Sequence, residues 1–409
     1  MDWEPRAQGL AERVSHPGSR WRPVVAALPR HAFVPRWWEP PGGYGARRAG
    51  RPRDLSAGWA LRDGPLDEQA WLDAAYSDVS LVTRVGTLHA DHATSADRPI
   101  GLPTSSSTMP GLIVQLARYL YLDAGHDVLD VGTGSGYGCA LLAMRLGEEH
   151  VTSVDVDEYL TSAAARRLAS VGLHPQVLTA DATGPLPGSP GPEGSEGSAG
   201  SAGSAAGYDR ILATVAVRPV PASWLAALRP GGRLVTTLSG TMMILTADKT
   251  EDGGATGRVE WERAGFMRTR TGPGYPPSLI ETGAGDFWGD GDEVSRGRYP
   301  MGTATAAGDI WSMLSVLAPG SEYAFLQEDS VRTVLLVHPD GSWARASGPP
   351  GELPVVQQKG PRRLWDLLDK IRDDLLRIGE LPVYGATVRV RPDGVIELTR
   401  GRWQATIDA

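Results

Sequence analysis

The sequence predicts an α/β protein with a mainly parallel sheet that has helices on both faces. From Pro110 to about residue 250, short apolar runs alternate with longer segments whose apolar residues have helical spacing. A glycine-rich stretch, VLDVGTGSGYG, joins the first buried run to a helix. Strands that alternate with helices are joined by crossover connections, which place neighbouring strands parallel to each other.

Each element of this pattern has its own signal. The apolar runs read as strands are DVLDVG, HVTSVDVD, QVLTAD, YDRILATV, RLVTTLS and TMMILTA. The segments read as helices are GLIVQLARYLYL, GCALLAMRLG, EYLTSAAARRLASVG and VPASWLAALRPGG. We expect Gly147 to cap the second helix and a Pro-Gly-Gly turn to end the fourth.

The chain divides into four segments by composition and periodicity. Residues 1–100 form a mixed N-terminal extension, and residues 101–250 form the core, interrupted by a loop at 185–207 whose Gly, Ser and Pro content predicts flexibility. Periodicity weakens in a connecting region, 251–300. Residues 301–409 predict an α+β subdomain with a helix in PRRLWDLLDKIRDDLLRIG and a hairpin in TVRVRPDGVIELTRG.

Composition excludes several classes of protein. The net charge of −8 argues against a nucleic-acid binder that works by neutralising phosphates. One cysteine, Cys139, rules out an internal disulfide framework and fits a reducing cytoplasm, where we expect this protein. The N-terminus lacks the apolar core of a signal peptide, and no run approaches the ~18 apolar residues of a membrane span.

The glycine-rich stretch predicts a cofactor site. Asp130, Gly132, Gly134 and Gly136 form D-x-G-x-G-x-G between a strand and a helix, whereas a dinucleotide fingerprint is G-x-G-x-x-G. An acid beside the first glycine suits a cationic cofactor better than a pyrophosphate, and S-adenosylmethionine, with a sulfonium and an amino group, fits.

Two further acids follow in order along the sheet. Asp155 ends the second strand and is placed to accept hydrogen bonds from the ribose hydroxyls of such a cofactor. Asp181 ends the third and is placed to meet the adenine amino group. The predicted cofactor-binding residues are Asp130, Gly132, Thr133, Gly134, Ser135, Asp155 and Asp181.

Plainer readings of these residues exist. Strand-end aspartates also cap helices in a nucleotide-binding or Rossmann-like sheet that has no methyl donor. Cys139 fits a small packed helix residue rather than a nucleophile, because no histidine lies nearby in sequence. His89 and His92 of HADH supply two metal ligands without a third, so we predict no metal.

The sequence resembles the protein-L-isoaspartate O-methyltransferases over roughly residues 20–245. The family's T-x-S-x-P pattern maps onto SSTMP, with Ser106 in the threonine position, Thr108 in the serine position, and Pro110. RHAFVP and AYSD resemble its N-terminal signatures, and YDRILATVAV and LRPGGRLV resemble its later ones. The resemblance implies a Rossmann-like class I methyltransferase core.

Four consecutive hydroxyl residues, Ser105 to Thr108, form a hydroxyl tract before the helix that begins near Pro110. The resemblance also implies that this tract contacts a substrate carboxylate beside the donor. An aspartyl carboxylate, with a pKa of about 3.9, is already anionic at neutral pH, so orientation replaces a general base. We expect Thr108 to orient this carboxylate, with Ser107 and Ser106 in support. Without the resemblance, helix capping is the favoured role for serines and threonines before a helix.

The departures from the family pattern bear on the substrate. YSDVSLVTRVG, PTSSST and a long C-terminal region resemble an actinobacterial branch that methylates an aspartate in ribosomally made peptides such as lanthipeptides and graspetides, leaving aspartimide or isoaspartate. That branch implies a cyclised precursor peptide as partner, with no nucleic acid or membrane, and the C-terminal region as its recognition element or as a packing lid.

Three other functions stay open. The first is repair of L-isoaspartyl residues in damaged proteins. The second is small-molecule O-methylation, for which the sequence nominates no His or Glu base. The third is a non-enzymatic cofactor-binding module, which the intact set of acids and glycines disfavours.

Overall fold

The computed structural model describes residues 2–43, 58–186, 207–272, 274–283, 286–301, 308–328 and 330–408. Most of the predicted loop at 185–207 therefore lies outside the described residues. The helices are α1 Glu4–Val14, α2 Arg22–Ala27, α3 Arg30–Phe33, α4 Glu68–Ala75, α5 Pro110–Tyr119, α6 Tyr137–Leu146, α7 Glu158–Ser170, α8 Ala222–Ala227, α9 Leu279–Thr282, α10 Gly308–Leu317 and α11 Leu364–Ile378.

The strands belong to three sheets. Those of the first part of the chain are β1 Arg36–Glu39, β2 Ala60–Asp63, β3 Leu81–Val85, β4 Leu88–His89, β5 Pro103–Ser107, β6 Val128–Val131, β7 Val151–Asp155, β8 Gln176–Thr179, β9 Tyr208–Val217 and β10 Leu228–Leu238. Those that follow are β11 Met243–Lys249, β12 Ala255–Arg263, β13 Glu293–Arg296, β14 Glu322–Glu328, β15 Val331–Val337, β16 Trp343–Gly348, β17 Val355–Lys359, β18 Thr387–Val390, β19 Ile396–Arg400 and β20 Trp403–Ile407.

The central sheet has ten strands in the order β20-β19-β18-β12-β11-β10-β9-β6-β7-β8. The five strands β10, β9, β6, β7 and β8 are parallel to one another, as the alternation of strands and helices predicts. Strand β6 is buried at all four positions, as expected for a strand covered on both faces. The order reverses between β6 and β9, and ligands of open α/β sheets bind at such a point, beyond the carboxyl ends of the strands.

The other half of this sheet differs from the mainly parallel prediction. β11, β12, β18, β19 and β20 are each antiparallel to their neighbours, so the sheet as a whole is mixed. Short turns join most of these strands, and a short turn can connect only antiparallel neighbours. The Pro-Gly-Gly turn predicted at 230–232 lies inside β10, where the register of its pairing with β9 shifts.

The C-terminal residues do not form one separate sheet. The hairpin predicted around Pro-Asp-Gly is confirmed as β18 and β19, but β18 pairs with β12 and so extends the central sheet. Strands β13 to β17 form another sheet, which α11 covers through a buried apolar face that includes Trp365, Leu368 and Ile371. The segment boundaries at residues 100, 250 and 300 stay predictions.

A five-stranded sheet precedes the core. β1, β2, β3 and β4 form its path, and β5, which carries the hydroxyl tract, pairs with β3. This pairing brings the tract to the edge of the central sheet where β6 ends.

Two further predictions concern single features. Cys139 is buried among apolar residues of α6, which confirms it as a packed residue, and Gly147 ends that helix with a φ of 103°. Across the described ranges, none of the helices has the length and apolar content needed to cross a lipid bilayer.

Candidate active site

The glycine loop between β6 and α6 brings main chain close to two neighbouring strands. Gly132, Gly134 and Gly136 have φ values of 99°, 52° and 90°, a region that side chains disfavour. A Cβ at Gly134 would lie 3.1 Å from the carbonyl oxygen of Ser106, and one at Gly132 would lie 3.0 Å from Thr214 Oγ1. The loop therefore packs directly between the hydroxyl tract and the end of β9.

Two of the predicted strand-end acids face one cleft of about 640 Å³ above this loop. Asp155 accepts hydrogen bonds from the backbone N–H groups of Gly134, at 3.0 Å, and Asp157, at 3.1 Å. Burial raises the pKa of Asp155, while these two bonds favour its ionised form. Asp181 lines the same cleft and accepts the Thr183 N–H at 2.8 Å.

The third predicted acid, Asp130, lies below the cleft rather than along it. Its side chain is 2% exposed and accepts a hydrogen bond of 2.7 Å from Ser153 Oγ, which contacts Thr133 Oγ1 at 2.6 Å. Burial raises the pKa of Asp130 to about 7. Thr133 and Ser135 are also buried, and none of the three lines the cleft. Their predicted contacts with a cofactor stay predictions.

The hydroxyl tract is a strand, and it does not cap the helix that follows it. The N-cap residue of α5, Met109, makes no side-chain cap; its backbone N–H donates to Ser80 Oγ at 3.0 Å. The Gly111 N–H donates to Asp78 Oδ1 at 2.8 Å. Residues of the AYSD region thus satisfy the helix start, and the capping role considered for the tract is wrong.

The tract instead lines the cleft. Thr104, Ser105, Ser106 and Thr108 face it, and Ser106 and Thr108 are partly exposed there. Ser107 is 1% exposed and does not line the cleft, so its predicted support of the substrate stays a prediction. Two of the three predicted catalytic hydroxyls therefore share a cleft with Asp155 and Asp181.

A buried arginine holds the end of the tract in place. Arg30 is fully buried, and its guanidinium donates to five backbone carbonyl oxygens. The acceptors are Ala75, Ser77 and Val79 at 2.8 Å each, and Ser107 and Thr108 at 3.3 Å each. Buried charges need such compensation, and here the bonds tie two distant segments together beside Thr108.

One wall of the cleft is formed by residues that no sequence motif indicates. This wall comes from the segment that the sequence predicts only as a connecting region. It consists of Met267, Arg268, Thr269, Arg270 and Tyr275. The sole sequence signal was the pair of arginines in FMRTRTGPGY. Nothing in their local spacing indicates that the chain returns from β12 across the end of β9.

The histidines of HADH belong to a polar and aromatic cluster behind the cleft. The rings of His89 and His92 lie 4.5 Å and 4.1 Å from that of Tyr159, and His89 Nε2 is 3.2 Å from Asp157 Oδ2. Burial raises the pKa of Asp157, but its bond to His89 and nearby charges outweigh this and hold it at about 2. Within the described ranges, no group of three or more His, Cys, Asp or Glu side chains is placed to hold a metal ion.

Comparison with known proteins gives a family match in this region. Residues 87–264 match the model of the protein-L-isoaspartate(D-aspartate) O-methyltransferase family. A protein-L-isoaspartate O-methyltransferase of Anaeromyxobacter dehalogenans (strain 2CP-C) is 39% identical over 142 residues, which cover 34% of this chain and 60% of the relative. Another, from Anaeromyxobacter sp. (strain Fw109-5), is 35% identical over 168 residues, covering 40% and 71%.

Solved structures give more distant matches. One protein-L-isoaspartate O-methyltransferase aligns over 99% of both chains with 15% identity and a TM-score of 0.45. A Plasmodium falciparum protein described as a putative member of the same family, in complex with S-adenosyl-L-homocysteine, covers 66% of this chain with 10% identity and a TM-score of 0.42. The sequence match spans 60% of the length of the first relative and 71% of the second, and residues 265–409 lie beyond the family model.

Proposed function

The chain belongs to the protein-L-isoaspartate O-methyltransferase family, a family of S-adenosylmethionine-dependent carboxyl methyltransferases, and on that premise we propose that it methylates the free carboxylate of isoaspartyl residues. One observation carries the proposal. The hydroxyls of Ser106 and Thr108 share a single cleft with Asp155 and Asp181, over a glycine loop that lies against the tract. Donors for an anion and acceptors for a cationic cofactor therefore face each other.

The residues of the cleft fit the methyl donor. S-adenosylmethionine, when bound, supplies a methyl carbon on a sulfonium sulfur that keeps the electron pair as the carbon–sulfur bond breaks. Asp155 would hold the ribose hydroxyls and Asp181 the adenine amino group. Gly132 and Gly134 would let the donor approach the main chain, and no side chain fits at either position because its Cβ would meet Thr214 or Ser106.

The hydroxyl tract would orient the substrate. An isoaspartyl residue carries a free carboxylate with a reference pKa of about 3.5, so it is anionic at neutral pH and no base is needed. Thr108 and Ser106 would donate hydrogen bonds to one carboxylate oxygen and leave the other aligned for attack. Arg30 supports this by fixing the carbonyl groups of Ser107 and Thr108. Such alignment supplies roughly 7–11 kcal/mol of a barrier.

A second candidate is methylation of an aspartate in a cyclised, ribosomally made peptide, with aspartimide or isoaspartate as the product. The tract is richer in serine than the family pattern, and residues 265–409, with the sheet of β13 to β17, lie beyond the family match. These features favour a substrate that needs more recognition than a flexible damaged chain.

Mass spectrometry of matched peptides tests both candidates. The full chain and S-adenosylmethionine are incubated with peptides that are identical except for isoaspartate or aspartate, each in linear and cyclised form. A mass gain of one methylene on the linear isoaspartyl peptide supports the first candidate, and a gain on the cyclised aspartyl peptide alone supports the second. Reactions without the protein are the control for background methylation. Methylation of none of the peptides overturns the proposed function.

A further inference from the structure

The wall of the cleft opposite the hydroxyl tract is built on a fixed piece of main chain. After β12 the chain returns beside the end of β9, where the Ala216 N–H donates to Met267 O at 2.8 Å and the Thr269 N–H donates to Ala216 O at 2.9 Å. Ala216 and Arg268 thereby form a parallel bridge. Arg268 is therefore held as firmly as a strand residue, although it lies in a segment without regular structure.

The Arg268 side chain is exposed at the cleft and is oriented by an aromatic ring. Its guanidinium carbon lies 4.9 Å from the centre of the Tyr275 ring, and the Tyr275 hydroxyl donates to Arg268 O at 3.0 Å. The face of the Tyr275 ring attracts the guanidinium of Arg268 but accepts no conventional hydrogen bond from its N–H groups. The stacked guanidinium can therefore still donate hydrogen bonds to a ligand.

Positive charge is concentrated on this side of the cleft. Arg270 lines it beside Arg268, and Arg84 lies close behind, where its Nη1 donates to Thr104 Oγ1 at 3.4 Å. Burial and the charge of Arg270 lower the pKa of Arg84, which reflects how close these cations lie to each other. Asp155 and Asp181 line the same cleft, so its charges balance overall, and an anionic group suits only the wall on which Arg268 and Arg270 lie.

The carboxylate that reacts is a poor partner for these arginines. Methyl transfer removes its negative charge, so an ion pair with arginine would stabilise the substrate more than the transition state and slow the reaction. The neutral hydroxyls of Ser106 and Thr108 avoid that cost. A carboxylate that keeps its charge throughout the reaction has no such conflict.

We propose that Arg268 selects substrates that carry a second carboxylate, from an acidic residue next to the residue that is methylated. This inference rests on the proposed function and adds a substrate preference to it. Arg268 would bind the flanking carboxylate through paired N–H donors while the tract orients the reacting one. The two anions would thus be held on opposite walls of one cleft.

Kinetics with three matched peptides test the preference. The peptides carry the same methyl-accepting residue flanked by Glu, Gln or Lys, and the enzymes are the full chain, Arg268→Gln and Arg268→Glu. We expect kcat/KM for the Glu peptide to exceed that for the Gln peptide about 5-fold, through KM. Arg268→Gln should remove this difference, and Arg268→Glu should favour the Lys peptide. Arg402→Gln, an exposed change between β19 and β20, should preserve the wild-type order.

Two binding measurements separate the other outcomes. Calorimetry with S-adenosylhomocysteine should give the same affinity for Arg268→Gln and the wild type, whereas a loss would assign Arg268 to the donor and overturn the proposal. Fluorescence anisotropy with labelled Glu and Gln peptides reads the preference without turnover. If no peptide is methylated but wild type alone binds the Glu peptide more tightly, the proposed function fails and the anion site stands. Equal binding of both peptides by wild type overturns the anion site.

Discussion

Two polar layers meet at the glycine loop, and they differ in what they face. The buried layer, beneath the loop, contains Asp130, Thr133, Ser153 and Ser107, each at most 4% exposed. The cleft layer, above it, consists of polar side chains that line the cleft, among them Ser106, Thr108, Asp155 and Asp181. Residues of the same types, adjacent in sequence or at the ends of adjacent strands, thus have opposite environments.

The difference teaches that a motif locates a site more reliably than it assigns its contacts. Asp130 lies within β6 and Asp155 ends the paired strand β7, and Asp130 accepts from Ser153 whereas Asp155 accepts from the glycine loop. Along the tract, Ser107 is buried between the partly exposed Ser106 and Thr108. Single substitutions in each layer test whether the buried layer and the cleft layer have different roles.

The largest expected effect comes from Asp130→Asn in the buried layer. The folded state holds the pKa of Asp130 at about 7 instead of 3.8, so the unfolded chain ionises first and stability is lost as pH rises from about 4 to 7. At about 1.4 kcal/mol per pKa unit, this cost reaches about 4 kcal/mol above pH 7.

Urea unfolding of wild type and Asp130→Asn measures this cost. The variant, which cannot ionise, should gain about 3 kcal/mol over wild type between pH 5 and pH 8. If the free energy of unfolding changes equally with pH in the two proteins over this range, Asp130 does not belong to the buried layer.

The next effect comes from Asp155→Ala in the cleft layer. The variant lacks the carboxylate that would bind the ribose through hydrogen bonds worth about 3 kcal/mol together. The dissociation constant for S-adenosylhomocysteine should therefore rise about 100-fold. Isothermal titration calorimetry gives this value, with circular dichroism to verify the fold. An unchanged affinity would remove the ribose assignment.

Thr108→Ala should slow methylation while leaving the donor bound. Loss of one hydrogen bond to a carboxylate costs about 2 kcal/mol, so kcat should fall about 30-fold. The affinity for S-adenosylhomocysteine should stay within about twofold, because the proposal assigns this hydroxyl to the substrate and not to the donor. Thr108→Ser retains the hydroxyl and is the matched control. Equal losses of kcat and donor affinity would mean that Thr108 supports the loop rather than the substrate.

The smallest effect is expected from Ser107→Ala. Its hydroxyl is buried, has no hydrogen-bond partner among the described residues and does not face the cleft. Removing it should change kcat less than about twofold. Steady-state kinetics beside Thr108→Ala provide the comparison. A loss as large as that of Thr108→Ala would return Ser107 to the catalytic group.

The sequence was informative wherever the signal was local. The strands and helices from α5 to β11 follow from apolar spacing, and the glycines at 132, 134 and 136 follow from the tight turn that they make. The position of Asp155 and Asp181 at one edge follows from the parallel order of β6, β7 and β8. Each of these inferences needs only neighbours in the chain.

The rest depended on distant pairing. β5 has no apolar alternation, and its strand conformation depends on pairing with β3, about twenty residues earlier. The extension of the central sheet by β18 depends on β12, more than a hundred residues away. The same is true of Arg268, whose place in the cleft is set by Ala216. The conformational propensities of a short segment do not indicate which distant segment it will pair with.

The central claim is that a methyl donor binds over the glycine loop with its reacting end toward the hydroxyls of the tract. A crystal structure of the full chain soaked with S-adenosylhomocysteine tests it most directly. The account predicts the ribose against Asp155 and the sulfur facing Thr108. Density for the ligand elsewhere, or a sulfur turned away from the tract, would contradict it.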